Sequence, residues 1–289
     1  MKNSIGIIIL VFLFSSCKKN DNNNSQEAKI HFIFKFDSTQ VRLNGLGNPV
    51  GVAAGHAAQS PRFNSMTAHY LELAPTAYTP IGSGQVLYHA PEVNTGGATA
   101  IDFSQSHFAG NNEEFLAVPI KDFAPGTYEW LRVSLAYQNY SVAVHVAGTM
   151  TQATIASFIG YNTYIQQYKI KDSTVTVNAN KLQGYWAFET GLLGYGFVQT
   201  GQAPPGATTV PNPIFNTSPV PAGSCVVTGK FASPLIVTGN ETQDIYITVS
   251  LSTNKSFEWI DNDANGLFDP ANGDTVIDMG IRGLIPIKQ

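Results

Sequence analysis

Short runs of β-branched and aromatic residues, separated by glycine, proline, asparagine and aspartate, follow one another along most of the chain. In the first run, at 29–36, Ile30, Phe32 and Phe34 share one face because side chains alternate along a strand. Similar runs lie at 68–73, 85–89, 115–120, 128–137, 140–147, 164–170, 174–177, 185–189, 194–198, 224–230, 235–237, 244–251, 256–260 and 274–278. No long stretch has the helical period. The best helix candidate is 151–159, where the strand interpretation is nearly as good.

Many short strands at close spacing predict an all-β fold, an antiparallel β-sandwich with long loops. We expect this domain to span 29–289. The Pro- and Gly-rich stretch 201–223 is either one long loop or a boundary between two domains. Because the runs on both sides look alike, the pattern favours one domain.

The N-terminus has the features of a secretory signal peptide. Lys2 precedes ten apolar residues at 5–14, which are followed by Ser15, Ser16 and Cys17. A membrane span needs about 20 apolar residues, so the run is too short for one. We therefore predict a signal peptide at 1–16 and, because 18–28 is polar and Asn-rich, a flexible tether at 17–28.

A cysteine at the cleavage position resembles the signal of a bacterial lipoprotein. This resemblance implies cleavage before Cys17, acylation of its thiol and amine with fatty acids such as palmitate, and a membrane anchor. Lys18 stands where an aspartate marks retention in the inner membrane, so the expected location is the outer membrane, on its periplasmic face or at the cell surface. With Cys17 acylated, Cys225 has no disulfide partner, and we expect it to be buried.

The net charge of −4 argues against a nucleic-acid partner. Enzyme signatures are also missing from the sequence: there is no Gly-x-Ser-x-Gly, no HExxH and no P-loop. We therefore predict a non-enzymatic binding protein. An unrecognised hydrolase with two acids from distant strands is the remaining enzymatic alternative.

One acidic segment has the spacing of a calcium loop. Oxygen ligands for Ca²⁺ recur at loop positions 1, 3, 5, 7 and 9, with glycine at position 6. The matching residues are Asp261, Asp263, Asn265, the carbonyl of Leu267, Asp269, and Gly266 as the glycine. The loop resembles those of EF-hand and dockerin repeats, except that Asn272 replaces the final glutamate; Asp274 could reach in instead. The alternative is an Asp/Asn/Gly turn between two strands.

Histidines offer a second possible metal site. The chain has six, without HxH or HxxxH spacing, so any site must assemble in three dimensions. His69 and His89 fall on consecutive strands, and Glu92, Asp102 and His107 follow in a loop. Imidazole suits copper and zinc, so we predict a transition-metal site from His69, His89 and His107. Alternatively, each histidine is separately exposed or hydrogen-bonded.

Three segments, FNSMTAHYL at 63–71, APGTYEWL at 124–131 and GYWAFE at 184–189, resemble the MbnP-like family in strand pattern and order. This resemblance implies a β-sandwich that binds copper outside the cytoplasm, without assigning ligands to residues of this chain. We therefore expect a lipid-anchored protein that binds a metal or other small ligand. The alternative is a glycan- or protein-binding surface lipoprotein that uses Trp130, Trp186 or Trp259, which otherwise fill a core.

Overall fold

The computed structural model describes residues 27–192, 195–203, 212–217 and 225–289. The predicted signal peptide, Cys17 and the tether up to residue 26 lie outside them. The strands are β1 (Lys29–Asp37), β2 (His56–Gln59), β3 (Arg62–Ala74), β4 (Gln85–His89), β5 (Glu92–Val93), β6 (Ala100–Asp102), β7 (Glu113–Pro119), β8 (Gly126–Val146), β9 (Thr149–Phe158), β10 (Thr163–Lys169), β11 (Thr174–Lys181), β12 (Tyr185–Leu192), β13 (Tyr195–Gln202), β14 (Val226–Val237), β15 (Ile245–Ser252), β16 (Phe257–Ile260), β17 (Thr275–Met279) and β18 (Leu284–Lys288).

Helical structure in the described residues is limited to short 3₁₀ turns at Phe103–Gln105, Ile120–Asp122, Phe215–Thr217 and Pro270–Asn272. None of the described helices is long and apolar enough to cross a membrane. The predicted all-β fold is thus confirmed.

The strands form four sheets. Sheet I has the order β18-β15-β1-β7, and sheet II has seven strands in the order β13-β12-β9-β8-β3-β4, with β14 also paired to β8. Sheet III has the order β11-β10-β6-β5, and sheet IV the order β17-β16-β2. Most pairs are antiparallel as predicted, but β1 pairs with β15, and β6 with β10, in parallel.

The main core lies between sheets I and II. Ile30, Phe32 and Phe34 of β1 are fully buried there, and Leu71 of β3 and Leu131 of β8 belong to the same cluster. A second cluster joins Phe158 of β9 to Tyr168 of β10, between sheets II and III. Sheet II is therefore covered on both faces.

Three predicted runs differ from the structure. The runs 128–137 and 140–147 are one continuous strand, β8, of 21 residues. The segment 151–159 is not helical; it lies mostly in β9, where Ala153 and Ile155 enter the first core and Ala156 and Phe158 the second. Burial on both faces removes the polar alternation by which a strand is recognised. Strands β2, β5, β6 and β18 were not predicted.

The chain on both sides of 201–223 builds the same sandwich. After this stretch, β14 pairs with β8, and β15 pairs with β1. Cys225 and Val227 also enter the main core with residues from β1 and β3. Parts of 201–223 lie outside the described residues.

Candidate metal centre

His69 projects from an irregularity in β3. Between Ala68 and Tyr70 the register against β8 advances by two residues on β3 but by only one on β8, from Leu135 to Ser134. His69 is therefore the extra residue of a β-bulge, a feature that re-aims side chains and recurs beside functional sites. Its side chain is only 1% exposed.

His89 lies on the neighbouring strand. β4 pairs with β3 so that Tyr70 stands directly opposite His89, and their rings stack with centroids 4.2 Å apart. The next residue stays bound to β3 through a hydrogen bond of 2.8 Å from Ala90 N to His69 O. His89 ends the strand and is 41% exposed, so this side of the pair opens to solvent.

Glu92 completes the cluster. Its Oε1 lies 2.9 Å from His69 Nε2 and 3.2 Å from His89 Nε2. The three ligand atoms all lie within 4.8 Å of one another, which satisfies the geometry for one shared ion. Tetrahedral ligands at about 2.0–2.1 Å from Zn²⁺ are about 3.3 Å apart, close to the two observed separations.

The electrostatics of the cluster favour a neutral imidazole beside an ionised carboxylate. Burial lowers the pKa of His69 from 6.5 to about 4, despite the opposing hydrogen bond to Glu92. Burial alone would raise the pKa of Glu92, but the hydrogen bonds from His69 and His89 outweigh it and lower this pKa. His69 is therefore neutral at pH 7, and a metal would not have to remove the extra proton of an imidazolium ring.

Two tyrosines hold the imidazoles in place. Tyr161 stacks on His69 at 5.0 Å with an interplanar angle of 11°, and Tyr70 packs edge-on against the same ring. His69 Nδ1 is buried without a hydrogen-bond partner. Because Nε2 of the neutral His69 ring faces the ionised Glu92, we assign the proton of this ring to Nε2. Metal binding at Nε2 would move the His69 proton to Nδ1, which costs about 1–3 kcal/mol when the N–H has no acceptor.

His107 is not part of this cluster, contrary to expectation. Its ring packs edge-on against Phe115, and the ring of Tyr88 meets the same phenylalanine. Tyr88 and His89 are adjacent in β4 and project to opposite faces of the strand. His107 thus lies on the wrong side of β4, whereas Glu92, three residues after His89, takes its place.

Three other histidines each pair with carboxylates. These pairs are His31 with Glu114, His56 with Glu258 and His145 with Asp269, at 2.5, 2.6 and 2.8 Å. None of them belongs to a group of three converging ligand atoms in the described residues. The arrangement in which His69 and His89 both contact one oxygen of Glu92 therefore differs from these histidine–carboxylate pairs.

A second acidic cluster lies in the predicted calcium loop, between β16 and β17. Carboxylate oxygens of Asp261, Asp263 and Asp274 lie within 4.8 Å of one another. Asp261 accepts hydrogen bonds from the backbone N of Asn265 and Gly266, at 3.2 and 2.8 Å. The loop therefore curls around the first aspartate, and Asp274 supplies the carboxylate that Asn272 does not.

Two other predicted calcium ligands, Asp269 and Asn265, make different contacts. Asp269 is buried and turns to His145, so it is absent from the cluster. Asn265 uses its side chain within the loop: Nδ2 donates to Asp263, and Oδ1 accepts from the backbone N of Leu267. Asp269 is diverted because β8 passes beside the loop, as the hydrogen bond from His145 N to Phe268 O shows.

The three tryptophans and Cys225 make packing contacts within the fold. Trp259 is 1% exposed in the main core. Trp186 covers Gly201 across the β12–β13 pair, where a Cβ would lie 2.4 Å from the indole. Trp130 lies under the Lys230 ammonium, 5.7 Å from the ring centroid. Cys225 is buried as predicted, and burial raises the pKa of its thiol to about 12, which keeps it protonated.

Comparison of the chain with protein-family models, with curated proteins and with solved structures found no match.

Proposed function

We propose that this protein is a lipid-anchored, extracytoplasmic binding protein for a divalent transition metal, copper or zinc. Its ligands are His69 Nε2, His89 Nε2 and Glu92 Oε1. The convergence of two imidazole nitrogens on one carboxylate oxygen, at 2.9 and 3.2 Å, carries the proposal. Anchoring through Cys17 rests on the sequence of the N-terminus.

The ligand set favours one class of metal. Two imidazoles and one carboxylate suit zinc, copper and related first-row ions better than Mg²⁺ or Ca²⁺, which prefer oxygen alone. Three protein ligands leave one position for water or a further ligand. Metal binding would place the His69 proton on Nδ1, which has no hydrogen-bond partner, and this cost weakens the affinity. We therefore propose that the site binds its metal reversibly, as a carrier or a sensor does.

Metal titration of the purified protein tests this proposal. We expect one equivalent of Cu²⁺ or Zn²⁺ per chain at neutral pH, with a dissociation constant of about 1 µM or below. Bound Cu²⁺ should show an electron paramagnetic resonance spectrum with hyperfine coupling to two imidazole nitrogens. Binding of neither metal, or a Cu²⁺ spectrum without nitrogen coupling, would contradict it.

We propose a second, structural cation site in the loop between β16 and β17. Three carboxylates whose oxygens lie within 4.8 Å repel one another unless a cation neutralises them. Asp261, Asp263 and Asp274 would hold Ca²⁺, with carbonyl and water oxygens completing its shell. Such an ion would fix the β16–β17 hairpin.

Calcium should therefore raise the thermal stability of the protein. At about 100 times the dissociation constant, one bound ion adds about 2.7 kcal/mol to the free energy of unfolding. Calorimetry should show this stabilisation with Ca²⁺ in the wild type but not in Asp263→Ala. The control is Asp172→Ala, which removes an exposed acid elsewhere and should leave the calcium effect intact. A calcium effect that persists in Asp263→Ala would place the ion elsewhere.

A further inference from the structure

A cavity separate from the metal cluster lies beside β8 and β10. Its volume is about 270 Å³, and it is lined by Ser65, Phe103, Phe108, Tyr137, Asn139, Tyr168, Lys169 and Ile170. None of His69, His89 and Glu92 belongs to this lining. We propose that the cavity binds a small aromatic carboxylate of one or two rings.

The walls of the cavity are aromatic. Phe103, Phe108 and Tyr137 meet one another edge-on, with ring centroids 5.0–5.9 Å apart. Together these rings give the cavity an apolar wall against which a planar aromatic ligand can pack. A cavity of about 150 Å³ holds one benzene ring, so a volume of about 270 Å³ suits a bicyclic ring system.

Phe108 marks the mouth of the cavity. Its side chain is 44% exposed although it contacts the second core through Phe103 and Tyr137. Exposure of a phenylalanine ring forgoes hydrophobic free energy that a bound apolar group would recover. The exposed ring beside an open aromatic cavity therefore favours a ligand with an apolar body.

Polar groups define the other end of the ligand. The hydroxyl of Tyr137 accepts a hydrogen bond of 3.3 Å from Asn139 Nδ2 and retains its own hydrogen for an acceptor. Asn139 is itself held by Ile170 O and by Asn64 Nδ2. Lys169, also in the lining, forms no ion pair with any described residue. One O–H donor and one unpaired cation suit a carboxylate.

The test uses two probes of nearly equal size, indole-3-acetate and its neutral amide, titrated into the protein and followed by calorimetry and saturation-transfer NMR. We expect indole-3-acetate to bind with a dissociation constant of about 1 mM or tighter. The amide should bind about fivefold more weakly, as for one solvent-exposed charge pair. Lys169→Met should remove this difference.

Two variants connect binding to the cavity. Ser65→Leu fills the space and should abolish binding, whereas Phe108→Ala, at an exposed position, should weaken both probes by about tenfold. The control, Phe197→Ala, removes an exposed ring that does not line the cavity and should bind as the wild type does. The proposal is overturned if neither probe binds below about 10 mM, a range within reach of weak ligands, or if Phe108→Ala binds both unchanged.

Discussion

Replacing His89 with alanine is expected to weaken the affinity for Cu²⁺ or Zn²⁺ by more than about 100-fold, since even loss of an outer-shell partner costs 10–100-fold. The side chain is 41% exposed and ends its strand, so its removal should leave the fold intact. Glu92→Gln keeps the shape but removes the charge and should cause a comparable loss. Both are measured by titration against a competing chelator.

His107→Ala is the matched control. It removes an exposed imidazole that the sequence groups with His69 and His89 but the structure leaves outside the cluster. Its metal affinity should equal that of the wild type. A metal at about 100 times its dissociation constant should add about 2.7 kcal/mol of stability to the wild type and to His107→Ala, but not to His89→Ala. Equal losses in His89→Ala and His107→Ala would contradict the proposed ligand set.

The strand pattern could be predicted from the sequence wherever one face meets solvent. In β1, Ile30, Phe32 and Phe34 alternate with less buried residues, and they form the core as expected. In β9 the pattern fails because sheet II is covered on both faces, so Ile155 and Ala156 are both buried. A short apolar run of this kind does not distinguish a strand from a helix.

Part of the metal site could also be predicted. The sequence places His69 and His89 on consecutive strands, and these strands do pair. It does not show the bulge that makes His69 the extra residue, because bulges depend on the partner strand. The position of Glu92, three residues after His89, is a sequence signal by which this third ligand can be found. The contact of Asp269 with His145, 124 residues apart, had no local signal.

A buried ion pair provides the largest expected effect on stability. Arg132 of β8 and Glu72 of β3 are both 0% exposed, with Nη1 and Oε1 2.6 Å apart. Arg132 also donates to the carbonyls of Ala77 and Thr79, and Glu72 accepts from Gly82 N at 2.8 Å. The pair thus ties the connection between β3 and β4 to sheet II, and this connection leads into the strand that carries His89.

We expect Arg132→Met to reduce the free energy of unfolding by about 3–5 kcal/mol, because it leaves the Glu72 carboxylate buried without its counter-charge. Urea denaturation measures this loss. The double variant Arg132→Met/Glu72→Met should be less destabilised than the sum of its single variants, since no unpaired charge remains. It should still fall below the wild type, because two loop carbonyls lose their donor.

Arg132 of β8 also donates a hydrogen bond of 3.1 Å from its Nε to Thr228 Oγ1 of β14. The control lies on the same two strands. Lys230 of β14 and Glu129 of β8 form an ion pair at 3.1 Å with side chains 57% and 44% exposed. Lys230→Met should change stability by less than about 1 kcal/mol, since solvent screens the pair. Similar losses in Lys230→Met and Arg132→Met would show that burial does not set the strength of the Arg132–Glu72 pair. A large loss in Arg132→Met alone, with weakened metal binding, would connect this anchor to the position of His89.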